Sequence, residues 1–146
     1  MADAVVEIET NLDDSSPEEL GFAMERLLEA GALDVAFSPL QMKKNRPGVL
    51  VRVLARPEDA SRMAELVIEH TSALGVRFQR MERLIARRES RVAATPWGDV
   101  RVKVKLFDGR EVVAPEYEDC ARVARAAGVP LREVYAAART GSATGT

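Results

Sequence analysis

The sequence is poor in cysteine, histidine and aromatic residues. One cysteine, Cys120, and one histidine, His70, stand in 146 residues. A lone cysteine excludes an internal disulfide and fits a reducing cytoplasm. Borderline metals such as nickel and zinc take several His or Cys ligands, so a self-sufficient site of that kind is not expected. Aromatic residues make up 5% of the chain. The strand-like stretch "GVLVRVLA" carries none, which argues against an RNA-recognition domain that stacks bases. An excess of charge of one sign is also missing. The 21 Lys+Arg and 23 Asp+Glu leave a formal net charge of -2, unlike the strongly basic balance of a sequence-blind nucleic-acid binder. No apolar run approaches the ~20 residues of a membrane span. The start "MADAVVEIET" lacks the basic and apolar segments of a signal peptide. There is no Ser-His-Asp set, Walker loop or dinucleotide glycine motif.

What is present is ordinary globular material, 47% hydrophobic and 30% charged, enough for one domain or two small units sharing a core. "AVVEIET" alternates as a strand does. "SPEELGFAMERLLEAG" opens on Ser16 as N-cap, with Pro17 in the first turn and Glu19 completing a capping box. Leu20, Met24, Leu27 and Leu28 form its apolar stripe, and Gly31 closes it. "DVAFSPLQM" and "GVLVRVLA" are the next two strands. A second helix opens at Pro57, carries a stripe of Ala60, Met63, Ala64, Val67 and Ile68, and ends at Gly75. "VRFQRMERL" is the fourth strand. This β-α-β-β-α-β order predicts an α+β fold, a ferredoxin-like sandwich with two helices on one face of a four-stranded antiparallel sheet.

After that sandwich, expected over residues 4–85, comes an extension over 86–139 packed on it. It is a β-hairpin turning at Pro96–Asp99, with Val100, Val102 and Val104 on one face and Arg101, Lys103 and Lys105 on the other. A short turn at Asp108-Gly109 leads to "EVVA". Two short helices follow, starting at "PEYEDC" and "PLREVY". Residues 140–146, "TGSATGT", are expected to be disordered.

Four stretches offer chemistry. "QMKKNRPG" concentrates Lys43, Lys44 and Arg46 before a Pro-Gly turn. It is either a solvated hairpin turn or a phosphate-binding loop, in which Lys gives a point charge and Arg a fork. Pro47 holds Arg46 extended. "ETNLDD" gathers Asn11, Asp13 and Asp14, oxygen donors suited to Mg²⁺ or Mn²⁺ or simply charges near a helix N-terminus. Glu116, Glu118 and Asp119 in "APEYEDC" have the same two readings. Tyr117 between them could lie against a base or sugar. Arg101, Lys103 and Lys105 are the wet side of a hairpin or an added phosphate contact.

In combination, "ETNLDDSSPEELGFAMERLLEAGALDVAFSPLQMKKNRPG", "HTSALGVR", "VRVKVKLFDG" and "VAPEYEDCARVARAAGVPLREVY" resemble the C-terminal half of the LarC family. These are nickel insertion proteins (nickel chelatases of the lyase class) for the nickel-pincer nucleotide cofactor of lactate racemase. The resemblance runs from about Val5 to about Ala138. One departure is Ser15, where the family often has Met after the paired aspartates.

The resemblance implies a chemistry. Such proteins insert nickel into pyridinium-3,5-bisthiocarboxylic acid mononucleotide, using CTP with Mn²⁺ or Mg²⁺. The C-terminal half binds CTP, and a histidine-rich N-terminal half handles nickel. By motif position, Lys43, Lys44 and Arg46, with Lys103 or Lys105, meet the triphosphate. Asp13, Asp14, Glu116 and Asp119 hold the divalent ion, and Asn11 and Tyr117 meet the sugar or base. This implies that the chain is a piece of a longer protein or one product of a split gene, inactive alone, cytoplasmic and homo-oligomeric. The alternative is a ferredoxin-like regulatory module that binds a small metabolite and oligomerises through sheet edges.

Overall fold

The computed structural model describes residues 2–141. They form β1 (Ala2–Leu12), α1 (Pro17–Glu29), β2 (Asp34–Met42), β3 (Arg46–Ala55), α2 (Ala60–His70) and β4 (Arg77–Leu84). Then follow β5 (Arg87–Thr95), β6 (Gly98–Phe107), β7 (Arg110–Pro115), α3 (Tyr117–Ala127) and α4 (Leu131–Gly141). Single 3-10 turns occupy Lys43–Asn45 and Pro57–Asp59. The described residues fall into two compact units, 2–84 and 85–141. Among them no helix is long and apolar enough to cross a membrane.

The first unit is the expected sandwich. Its antiparallel sheet has the order β2-β3-β1-β4. Alternation along β1 turns Val6, Ile8, Thr10 and Leu12 to the helix-covered face, where all four are buried. Glu7, Glu9 and Asn11 take the opposite face. Leu20 and Leu27 of α1, Met63 and Val67 of α2, and Val51 and Val53 of β3 complete the core. Burying each such side chain is worth about 1.5–3 kcal/mol. The one buried polar residue of this core region, Thr10, donates its hydroxyl to the Gly75 carbonyl at 3.0 Å.

The capping box forms as read: Ser16 N–H donates to Glu19 Oε2 at 2.7 Å and Glu19 N–H to Ser16 Oγ at 3.2 Å. Three local expectations are corrected. Leu28 and Ile68 are 47% and 43% exposed rather than core. In α1 the small Ala23 takes the buried place, because the buried stripe is narrower than the apolar residues supplied. And α2 ends at His70, not Gly75, because Thr71 leaves the helix with extended φ and ψ and its hydroxyl donates to the Val67 carbonyl at 2.6 Å.

The second unit has a sheet of three strands, β5-β6-β7, rather than a hairpin alone. "EVVA" is its third strand, pairing along β6 from Phe107↔Arg110 to Val102↔Pro115. Val100, Val102 and Val104 are at most 1% exposed and pack with Val123 of α3 and Val134 of α4. The final helix runs through Thr140 and Gly141, the first two residues expected to be disordered. The rest of that expectation, 142–146, lies outside the described residues.

Candidate functional site

The β2–β3 connection is a tight turn. Its ends are fixed by pairing of Met42 with Arg46, and the Arg46 N–H closes the turn on the Lys43 carbonyl. The two central residues have positive φ, 60° at Lys44 and 56° at Asn45. Positive φ at two successive central residues is what a type I′ turn requires, but the Met42↔Arg46 register leaves three residues, Lys43–Asn45, in the connection, one more than a two-residue type I′ hairpin. Asn tolerates this region, whereas an L-residue with a long side chain is disfavoured there by about 1–2 kcal/mol. The turn thus lifts Lys44 to the tip. Arg46, held extended at φ −81° and ψ 131° as its Pro neighbour requires, starts β3.

Lys43, Lys44, Asn45 and Arg46 are all exposed. Lys43 and Lys44 make no ion pair among the described residues. Arg46 Nη1 donates to Asp13 Oδ2 at 3.3 Å, a long contact with the arginine side chain 55% exposed. Asp13 lies at the end of β1, beside the start of β3, and is 19% exposed. The neighbouring Asp14 turns elsewhere: it accepts from the Ser72 hydroxyl. The Ser15 hydroxyl shares a 2.7 Å hydrogen bond with the same hydroxyl. So neither aspartate caps α1, and Ser15 makes a polar contact of its own.

Asn11 sits on the open face of β1. Arg77 Nη2 donates to Asn11 Oδ1 at 2.8 Å and Arg77 Nε to Glu9 Oε2 at 3.1 Å. Arg52 Nε donates to Glu9 Oε1 at 2.9 Å and also meets Glu7 at 3.1 Å. Arg52 first, and then Arg77, hold the Glu9 carboxyl below its ordinary range. A guanidinium only donates, so the Asn11 amide oxygen must face it, leaving the Asn11 NH₂ without a partner among the described residues. The reading of the sequence had no place for Arg52 and Arg77. Alternation puts Glu7, Glu9 and Asn11 on one face, but their partners depend on strand register.

The other candidates belong to the second unit. Lys103 Nζ meets Glu116 Oε1 at 2.8 Å. Asp119 is fully engaged: Arg101 grips both its oxygens at 2.9 Å, and the Arg101 backbone N–H donates to Oδ2 at 2.9 Å. The guanidinium, then the backbone donor, push the Asp119 carboxyl far below the usual carboxylate range. Tyr117 is 52% exposed at the start of α3. Lys105 is exposed on the open face of β6. Each unit by itself therefore holds two of the four proposed metal ligands. Among the described residues no three His, Cys, Asp or Glu side chains gather where they could hold a metal ion. His70 and Cys120 stand singly, each with packing contacts. His70 meets the Phe22 ring edge-on at 5.7 Å, and Cys120 is buried, its thiol pKa pushed up by desolvation.

Residues 1–135 match the family model described as "Nickel insertion protein". The chain belongs to the nickel insertion protein family. It is 47% identical over 137 residues to the Lactiplantibacillus plantarum protein named "Pyridinium-3,5-bisthiocarboxylic acid mononucleotide nickel insertion protein", covering 94% of this chain and 33% of that one. A Geobacter sulfurreducens relative is 56% identical over 133 residues, covering 91% of this chain and 34% of its own length. The chain thus spans about a third of the curated relatives it matches. A solved structure titled "LarC2, the C-terminal domain of a cyclometallase involved in the synthesis of the NPN cofactor of lactate racemase, apo form" superimposes with a TM-score of 0.92. It is 44% identical, with 99% of this chain and 100% of that one covered. A Methanopyrus kandleri protein shares the fold at a TM-score of 0.64 and 27% identity, over 95% of this chain and 88% of that one.

Proposed function

We propose that this chain is the CTP-binding part of a nickel insertase that completes the nickel-pincer nucleotide cofactor, and that its β2–β3 turn grips the triphosphate. One observation carries the reading. The turn holds two exposed lysines with no ion partner among the described residues, at the tip of a conformationally fixed hairpin, next to a carboxylate at the end of β1. Unpaired cations on a rigid turn are arranged to meet an anion that arrives. Arg46 completes the set: its exposed contact to Asp13 contributes little, so a phosphate can recruit the guanidinium and release Asp13.

Asp13 and Asp14 are hard oxygen donors of the kind Mn²⁺ or Mg²⁺ takes. The triphosphate oxygens supply the remaining ligands, and the ion neutralises phosphate charge when bound. The Asn11 NH₂ is the donor this reading assigns to the sugar or base. Nickel is the substrate metal, with its ligands outside this chain. The names of the Lactiplantibacillus relative and of the cyclometallase domain support the choice of reaction.

Titration with the four ribonucleoside triphosphates, with and without Mn²⁺, tests the ligand, and a set of variants tests the loop. A charge-assisted hydrogen bond is worth about 1.5–3 kcal/mol, so Lys43→Ala, Lys44→Ala and Arg46→Ala should each weaken CTP about ten- to a hundredfold. The losses should be smaller for CDP and CMP and should shrink as salt rises. Lys44→Gly separates charge from backbone. It relieves the positive-φ cost but adds freedom to the unfolded chain, so stability stays within about 1 kcal/mol of wild type while CTP affinity falls as in Lys44→Ala. Unchanged CTP affinity in all variants at low salt leaves the loop a solvated turn. Preference for a metabolite without a divalent ion favours the regulatory module instead.

A further inference from the structure

The open face of the three-stranded sheet carries a charge arrangement that the triphosphate reading does not use. Arg88 of β5 and Lys105 of β6 are direct cross-strand partners. Like charges placed opposite each other on one sheet face destabilise the pairing. Most other cations of the same sheet are neutralised: Arg87 and Arg91 hold Glu89, Arg91 also holds Glu111, Arg101 holds Asp119, and Lys103 holds Glu116, while Arg110, at the far end of the β6–β7 pairing, is the other one without an ion pair among the described residues. Arg88 and Lys105 have no ion pair among the described residues. They border a cavity of about 430 Å³, a volume within the usual range for small-ligand sites. Its walls are otherwise apolar, formed by Ile85, Ala86, Val112 and Ala114. Lys103 lies at its rim, one cross-strand row along, opposite Ser90 and Ala114.

An apolar floor beside two uncompensated cations suits a ligand with a flat ring and several negative groups. We infer that this cavity is the subsite for the pyridinium mononucleotide into which nickel is inserted. Its ring lies on the apolar wall, and its phosphate and acid groups meet Arg88 and Lys105. Charge complementarity favours this occupant over a second protein, because the apolar area is that of a small cavity with a doubly cationic edge. The choice of ligand rests on the insertase reading proposed above. The site itself is independent of the Lys43–Arg46 turn.

The test uses the intact chain and nicotinate mononucleotide, a pyridinium carboxylate with a ribose 5′-phosphate, as the calorimetric probe. Arg88→Ala and Lys105→Ala lie on an exposed strand face and leave the melting temperature near wild type. Each should weaken the probe about tenfold, and the double variant about a hundredfold. Nicotinamide riboside, which lacks both acid groups, should bind weakly and be indifferent to the substitutions. CTP affinity should be unchanged in Arg88→Ala, and probe affinity unchanged in Lys44→Ala. A wild-type chain that does not bind the probe, or variants that bind it as wild type does, overturn the inference. Variants that lose CTP instead overturn it too, by assigning the two cations to the triphosphate. If Lys44→Ala keeps its CTP affinity while Arg88→Ala loses the probe, the turn reading fails and this subsite stands.

Discussion

Gly48 shows how a single position sets the candidate loop. A Cβ placed there would meet the Met42 side chain and come within 2.8 Å of the Leu12 carbonyl oxygen. Met42 can move, but the Leu12 carbonyl belongs to β1, one residue before Asp13, and cannot shift without disturbing the sheet. Glycine thus lets β3 approach β1 closely at the base of the turn, which brings Arg46 to Asp13. Gly48→Ala should cost about 1–3 kcal/mol, the range for forcing atoms into a filled site. Met42→Ala should not rescue it, because the backbone contact persists. Denaturant melts of the two variants check this, and an unchanged midpoint for Gly48→Ala would contradict it. The cations of this loop were plain in the sequence, as was the extended Arg46 before Pro47. The positive φ of Lys44 was not, because lysine carries no signal for that region.

At the level of elements, the start of α3 is tied to β6 by a carboxylate. Glu116 N–H donates to the Arg101 carbonyl at 2.9 Å, and the Arg101 N–H donates to Asp119. The pattern extends the β6 ladder beyond Pro115 with a side chain in place of a strand. Read locally, Asp119 is one more acid in a first helical turn. Its partner lies eighteen residues upstream, a distance that only the third strand β7 closes. Alternation in β6 made its two faces legible, and the capping box of α1 was readable outright, since both depend on neighbours in sequence. The end of α2 was misplaced because a Thr hydroxyl, not the later Gly75, terminates it. The Asp119 pairing has a pH consequence. Its carboxyl pKa is lower folded than unfolded, so the unfolded chain takes up the proton first. The stabilisation is present above the ordinary Asp value near 4 and drains away as pH falls below it toward the folded value. Asp119→Asn should therefore be less stable than wild type at neutral pH, with a flatter stability profile below about pH 4, where the two curves converge. Urea melts from pH 7 downward measure this. Parallel curves for the two proteins across the acid range would show that the carboxylate charge contributes nothing there.

At the scale of the whole molecule, two separate cores carry the two proposed sites. The first carries the cationic turn with Asp13, and the second carries the Arg88–Lys105 face. Among the described residues neither gathers three His, Cys, Asp or Glu side chains that could hold a metal ion. His70 is engaged with Phe22, and Cys120 is sealed in the second core with a thiol held protonated by burial. Imidazole and thiolate are ligands that suit nickel, and this chain has one histidine and one cysteine, the cysteine buried. The chain also covers only 33–42% of the relatives named for nickel insertion. It should therefore bind its nucleotides yet leave the pyridinium bisthiocarboxylate mononucleotide free of nickel when supplied with Ni²⁺, CTP and Mn²⁺. Mass spectrometry of the recovered nucleotide reads the outcome directly. Adding the remaining segment of a full-length relative as a separate chain should restore insertion. Restoration that then fails with Lys44→Ala would tie the deficit to the turn and not to assembly. Nickel incorporation by this chain alone would mean that the two units hold the metal through oxygen donors or through the substrate itself, and that the division of labour drawn from the missing histidines is wrong.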